Sequence, residues 1–260
     1  MRSDENVTVA TNILLAREAT MKKAIQHILM VFAIMVSVPV CAESAATGGP
    51  ATYPDPERFH KWIEAFVEAD RSSPPVERGI VAVGSSSMVG WHKTIQKDLA
   101  PLTIIQRGFG GSNMNDVLHY VDKVVTRYRP RAVLLYEGDN DVAGGIDPDQ
   151  ILETFARLRE KIHASVPDVR IYVLSIKPSI ARWAMWPTMQ EANRLLETVC
   201  DMDDRLTFID IGATMLNAKG EPRKDIFLED MLHMNDTGYR LWTATVRPVL
   251  VGAERSYEAQ

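Results

Sequence analysis

Cysteine is scarce in this chain: Cys41 and Cys200 are the only two among 260 residues. That count rules out a disulfide framework and a metal centre built on cysteine. Basic charge is also short. The 29 Lys and Arg are outnumbered by 34 Asp and Glu, giving a formal net charge of −5, so a nucleic-acid partner is excluded. There is no internal repeat and no low-complexity block. What remains is an ordinary globular composition, 46% hydrophobic and 24% charged, enough for one domain with a large core.

The N-terminal region reads differently. From Met21, two lysines precede an apolar run, Ile28 to Val40, and then Val40-Cys41-Ala42. A charged start, a short apolar stretch and small residues at the end predict a secretory signal over residues 21–42, cut after Ala42. The run is shorter than the ~20 residues that span a bilayer, so an uncleaved membrane anchor is the lesser reading. Val40 is bulkier than lipoprotein processing at Cys41 accepts. Met1 to Thr20 sits awkwardly ahead of such a signal, and translation from Met21 fits better. The expected product is periplasmic or secreted. Cutting after Ala42 removes four basic and three acidic side chains and leaves 25 against 31, with Cys200 as the one thiol. On the apolar face of a predicted helix, that thiol reads as core.

Residues 43–54 are small and proline-bearing and read as a linker, and 55–260 as one domain. Asp55-Pro56 has the form of an N-cap followed by proline at the first helical position, with Phe59, Trp62, Ile63, Phe66 and Val67 at helical spacing behind it. Apolar strands then alternate with helices. The strand candidates are Ile80–Val83, Leu102–Ile105, Ala132–Tyr136, Ile171–Ile176 and Leu206–Ile209. Met114, Val117, Leu118, Val121, Val124, Val125 and Tyr128 make one helical stripe, and Asp147-Pro148 opens another helix. Met189 to Val199 gives a third, and a last helix begins near Asp236. Short apolar strands between helices predict about five parallel strands covered on both faces, a three-layer α/β/α sandwich. Such sheets gather their working groups beyond the carboxyl ends of the strands.

Those ends carry Gly84-Ser85-Ser86-Ser87, then Arg107-Gly108-Phe109-Gly110-Gly111-Ser112-Asn113, then Gly138-Asp139-Asn140-Asp141, and before the last helix Asp230-Met231-Leu232-His233. These are the parts acyl transfer needs. A hydroxyl attacks once a base takes its proton, and a histidine does so best when a carboxylate holds its tautomer. Glycine-rich N–H groups and an asparagine amide are suitable donors to an oxyanion, each worth ~3–4 kcal/mol of barrier in comparable sites.

The four blocks, GSSSM with Trp91 downstream, RGFGGSN, GDND and DMLH, resemble in order those of the SGNH, or GDSL-type, hydrolases, over about Ile80 to Leu241. The resemblance implies a flavodoxin-like fold and an esterase, lipase, thioesterase or deacetylase activity that calls for no cofactor and no metal. It assigns Ser86 as nucleophile, His233 as general base and Asp230 as its orienting partner. It lines the oxyanion hole with the N–H groups of Ser86 and Gly111 and the amide of Asn140. Ser85 stands where the family commonly has Asp, and Ser112 where many members place Asp.

Each block also has a plainer reading. GSSSM is a common turn composition. Gly108 to Asn113 imitates a dinucleotide fingerprint, but Asn113 takes the third glycine's place and the loop follows the second strand. A calcium loop starting at Asp139 fails at Ala143 and Gln150. Asp116-Val117-Leu118-His119 repeats the Asp-x-x-His spacing inside a periodic helix, where Asp116 reads as a first-turn carboxylate. Asn140 and Asp230 suit turns, and His60, His92 and His163 fall on helical stretches. Their joint arrival at one sheet edge favours the site.

In KPSIARWAMWPTM, Trp183, Met185 and Trp186 close on a strand end, either as core filler or as an apolar lid or aromatic wall over substrate. No long insertion suggests a lipid tunnel. The leading expectation is a serine esterase for short-acyl carboxylic esters. The alternatives are a carbohydrate O-deacetylase or acyltransferase using the same residues, and a non-catalytic carbohydrate-binding relative. The expected partner is a small-molecule or carbohydrate ester.

Overall fold

Five short runs of aliphatic residues pair into one parallel sheet in the computed structural model, which describes residues 51–258. The predicted leader lies outside the described residues. The strands are β1 (Ile80–Gly84), β2 (Ile104–Gly108), β3 (Ala132–Tyr136), β4 (Arg170–Leu174) and β5 (Leu206–Ile209), in the order β2-β1-β3-β4-β5. That is the flavodoxin-like order, whose direction of winding reverses at the central β1/β3 pair.

Side chains leave alternate faces of each strand, which splits the core in two. Val81, Val83, Val133, Leu135, Ile171 and Val173 face α1 (His60–Ser72), α4 (Met114–Val124), α6 (Pro148–Ser165) and α7 (Trp186–Cys200). Ile80, Ala82, Leu134, Tyr136, Tyr172 and Leu174 face α2 (Ser86–Trp91), α3 (Ile95–Asp98) and α8 (Asp236–Glu254). One further short helix, α5 (Asp139–Ala143), follows β3. Among the described residues, no helix is long and apolar enough to cross a membrane.

Four departures from the sequence reading have physical causes. The second strand starts two residues later than Leu102–Ile105 and ends three later, at Gly108, because the polar pair Gln106-Arg107 extends it; Arg107 can enter since Asp70 and Tyr128 wait to receive its guanidinium. The stripe from Met114 to Tyr128 is not one helix. α4 ends at Val124, and a 3-10 turn over Thr126–Tyr128 returns the apolar side chains to the core. In the first helical segment Asp55 caps a 3-10 turn, Pro56–Phe59, and only Ile63 of the predicted apolar set is fully buried, while Trp62 is 41% exposed. Tyr53, within the stretch read as linker, packs on the core and donates its hydroxyl to Asp141 at 3.0 Å.

Beneath β2, buried Asp70 accepts from both Arg107 and the Tyr128 hydroxyl, the latter at 2.6 Å. Arg107 also lies over the Tyr128 ring, 4.6 Å from its centroid. Removing the carboxylate strands a buried cation. Asp70→Ala is expected to cost ~3–5 kcal/mol in urea unfolding. A loss below ~1 kcal/mol would show that the guanidinium is adequately solvated without it.

Candidate active site

The strand register assembles the site. Gly84 stands opposite Gly108 on one side and Tyr136 on the other, so the three loops after β1, β2 and β3 leave the sheet at one level. At Gly84, φ is +147°, and a Cβ there would come within 2.1 Å of the Tyr136 carbonyl oxygen, so only glycine fits. The Phe109 N–H then donates to the Gly84 carbonyl at 2.9 Å, tying the second loop to the first. Ser85 is the N-cap residue of α2, and its carbonyl accepts from Met88 and Val89. Ser86, half-buried, opens the helix with its N–H free of any helical partner.

His233 arrives from 147 residues away. Its Nε2 lies 3.0 Å from Ser86 Oγ, and its Nδ1 lies 2.6 Å from Asp230 Oδ2. The supporting loop is tied at several points. The Leu228 N–H donates to the His233 carbonyl, Phe227 and Met234 form an antiparallel bridge, and the Asn235 amide donates to the carbonyls of Asp225 and Phe227. Asp230 Oδ1 accepts the N–H groups of Leu232 and His233, at 3.0 and 2.9 Å, which makes room for the other oxygen to meet the imidazole. The His233 imidazole, helped by the Leu232 N–H, holds the Asp230 carboxyl down to about 2. The carboxylate therefore stays charged wherever an imidazole exchanges its proton.

Gly111 has φ +87°, and a Cβ added to it would meet no atom within 4 Å, so its backbone borders open space. Asn140, in the first turn of α5, donates through Nδ2 to the Ser112 carbonyl at 2.8 Å. Its Oδ1 accepts from Arg182 at 2.9 Å. Ser112 in turn donates its hydroxyl to Glu137, a wholly buried carboxyl that burial pushes well above the ordinary range. A hydroxyl, an imidazole and a carboxylate in series form the nucleophile, base and orienting group that acyl transfer requires.

The GDSL-like lipase/acylhydrolase family matches residues 78–241. The chain belongs to that family. It is a carboxylic ester hydrolase. Solved structures share the fold at low identity. A Streptococcus pneumonia protein provisionally described as a platelet activating factor is 18% identical, with a TM-score of 0.63 over 77% of this chain and 92% of its own. A GDSL-like lipase from Bacteroides thetaiotaomicron is 20% identical, with a TM-score of 0.60 over 76% and 98%. Axe2, an acetylxylan esterase from Geobacillus stearothermophilus, is 14% identical, with a TM-score of 0.53 over 66% and 93%. Among curated proteins none matches the chain.

In this acylhydrolase a cleft of about 890 Å³ opens beside Ser86 and His233, bordered by Val89, Lys93, Leu228, Tyr239 and Arg240. Trp183, Met185 and Trp186 do not line it. Trp183 stacks on Trp186 with centroids 6.0 Å apart, and Trp186 is the most buried of the three. Their segment still reaches the neighbourhood, since the Ala181 N–H donates to the Met231 carbonyl and Arg182 bonds Asn140. Trp62, read from sequence as one of an apolar set at helical spacing, stands near Gly110, where a Cβ would lie 3.4 Å from its ring and 3.8 Å from Ser86 Cβ. His92 is held at about 4 by burial, with Arg107 adding to the effect, and accepts the Gly108 N–H. His119 faces Glu57 on the surface and Asp116 closes the capping box of α4, so the second Asp-x-x-His is not a second dyad. Among the described residues, no cluster of His, Cys, Asp and Glu is arranged to hold a metal.

Proposed function

We propose that this enzyme cleaves carboxylic esters with short acyl chains through an acyl-serine intermediate on Ser86. The contact between His233 Nε2 and Ser86 Oγ, 3.0 Å across 147 residues of chain, is the observation that carries the reading. His233 takes the hydroxyl proton as Oγ attacks the ester carbonyl, and Asp230 stabilises the imidazolium that results. The oxyanion is received by the N–H groups of Ser86 and Gly111 and the second Nδ2 hydrogen of Asn140. His233 then protonates the departing alcohol. In the second half-reaction it removes a proton from water as the water oxygen bonds to the acyl carbon, the acyl–Oγ bond breaks to release the carboxylic acid, and Oγ regains its proton from His233.

Short acyl groups suit the way the serine is presented, at the edge of the sheet, with only a few residues between β1, β2 and β3 and the helices that follow them. The test is a series of p-nitrophenyl esters from acetate through butyrate and octanoate to laurate. We expect kcat/KM to be greatest for acetate or butyrate and at least ~10-fold lower for laurate. A profile that rises with chain length overturns the preference. Deacetylation of carbohydrate is the second reading, favoured by Trp62, which is 41% exposed and stands with Ser86 against Gly110. It would show as faster turnover of acetylated xylo-oligosaccharide than of p-nitrophenyl acetate. For the cellular setting, we propose export, on the strength of the leader-like Met21 to Ala42.

A further inference from the structure

The donor face of Asn140 is not left to chance, and the group that sets it comes from outside the four sequence blocks. A side-chain amide has two ends of similar shape and opposite polarity, and only its N–H₂ end serves an oxyanion. Here both ends meet partners of fixed character. The Ser112 carbonyl can only accept, and it takes one Nδ2 hydrogen at 2.8 Å. The Arg182 guanidinium can only donate, and it holds Oδ1 at 2.9 Å. A flipped amide would face an acceptor with an acceptor and a donor with a donor. The second Nδ2 hydrogen is thereby left for the substrate.

Arg182 is itself anchored. Its other terminal nitrogen donates to the Asp139 carbonyl at 2.8 Å and lies 3.4 Å from Asp139 Oδ2. The same carboxylate oxygen receives buried Lys177 at 3.1 Å. Two cations thus share one carboxylate on the residue that precedes Asn140. Lys177 and Arg182 hold the Asp139 carboxyl below its ordinary range despite its burial, so the carboxylate is there to anchor them.

We propose that Arg182 is a positioning residue for ester hydrolysis: through Asn140 Oδ1 it fixes the amide so that Nδ2 presents a donor to the oxyanion. The inference rests on the acyl-serine reading above. Arg182→Gln keeps the Lys177–Asp139 pair intact and removes the guanidinium.

With p-nitrophenyl acetate as substrate, Arg182→Gln should lower kcat ~10–100-fold with KM within about twofold, less than the ~10²–10³ expected for losing the donor in Asn140→Ala. Arg182→Lys, which keeps the charge and N–H donors but loses the planar fork, should recover part of that loss. In the Asn140→Ala background, Arg182→Gln should cost no more than about twofold further, because its effect passes through the missing amide. The rate of serine phosphonylation by a fluorophosphonate should follow kcat through the series. An Arg182→Gln enzyme as fast as wild type overturns the proposal, as does a loss that persists undiminished without Asn140, or one confined to KM. If the wild-type protein itself neither hydrolyses the ester nor takes the label, the acyl-serine reading falls instead.

Discussion

Ser86→Ala should lower kcat/KM by ~10⁴–10⁶ while leaving the urea midpoint within experimental error of wild type. The first half follows from the chemistry. The hydroxyl is the atom that forms the covalent bond, and no neighbouring hydroxyl can replace it: Ser87 is buried, and the Ser85 side chain is wholly enclosed. The second half follows from what Ser86 holds together, which is little. Its Oγ meets only His233, and its place in the first turn of α2 is secured by the backbone of Ser85 and Gly84. A fluorophosphonate should label wild type at one serine and the variant at none. Activity within ~10-fold of wild type would move the nucleophile elsewhere, since losing it from a triad costs far more.

Much of this was legible in the sequence because sheet edge and motif coincide. Gly84, Gly108 and Tyr136 share one register level, so residues that follow apolar runs in the chain become neighbours in space. The Asp-x-x-His choice was also decidable, because Asp116 sits in a periodic helix and Asp230 in a loop. Less visible were groups whose roles depend on pairing across layers. Arg182 lies among aromatic residues that drew attention to packing, and nothing local marks it as the partner of Asn140. Lys177 and Glu137 follow apolar strands and would pass for residues turning to solvent, yet both are buried. Trp62 shows the converse: helical spacing grouped it with Ile63 and Phe66, while its helix opens on a 3-10 turn and presents it near Ser86. Periodicity identifies a face, but only the neighbouring layer determines whether that face is covered.

Asp230→Asn is the sharper test of how the imidazole is set, with an expected loss in kcat of ~10³–10⁴. Asparagine has nearly the same shape, and its carbonyl oxygen can go on accepting the N–H groups of Leu232 and His233, so the loop keeps its support. What changes is the end facing Nδ1. A carboxylate oxygen accepts there and keeps the proton on Nδ1, leaving Nε2 bare beside Ser86 Oγ. An amide N–H₂ donates, makes Nδ1 the acceptor and forces the proton onto Nε2, where it can no longer receive one from serine. Nitrogen NMR of the labelled ring should report the proton on Nδ1 in wild type and on Nε2 in the variant. Because Asp230 is held down to about 2, whatever the pair adds to stability is present above the ordinary carboxylate range and fades only as pH falls toward that value. Both side chains are more than a third exposed, so little stability is at stake near neutral pH, and the variant should unfold with wild type. A folded variant with the shifted tautomer and an undiminished rate would mean that His233 does not act as the base.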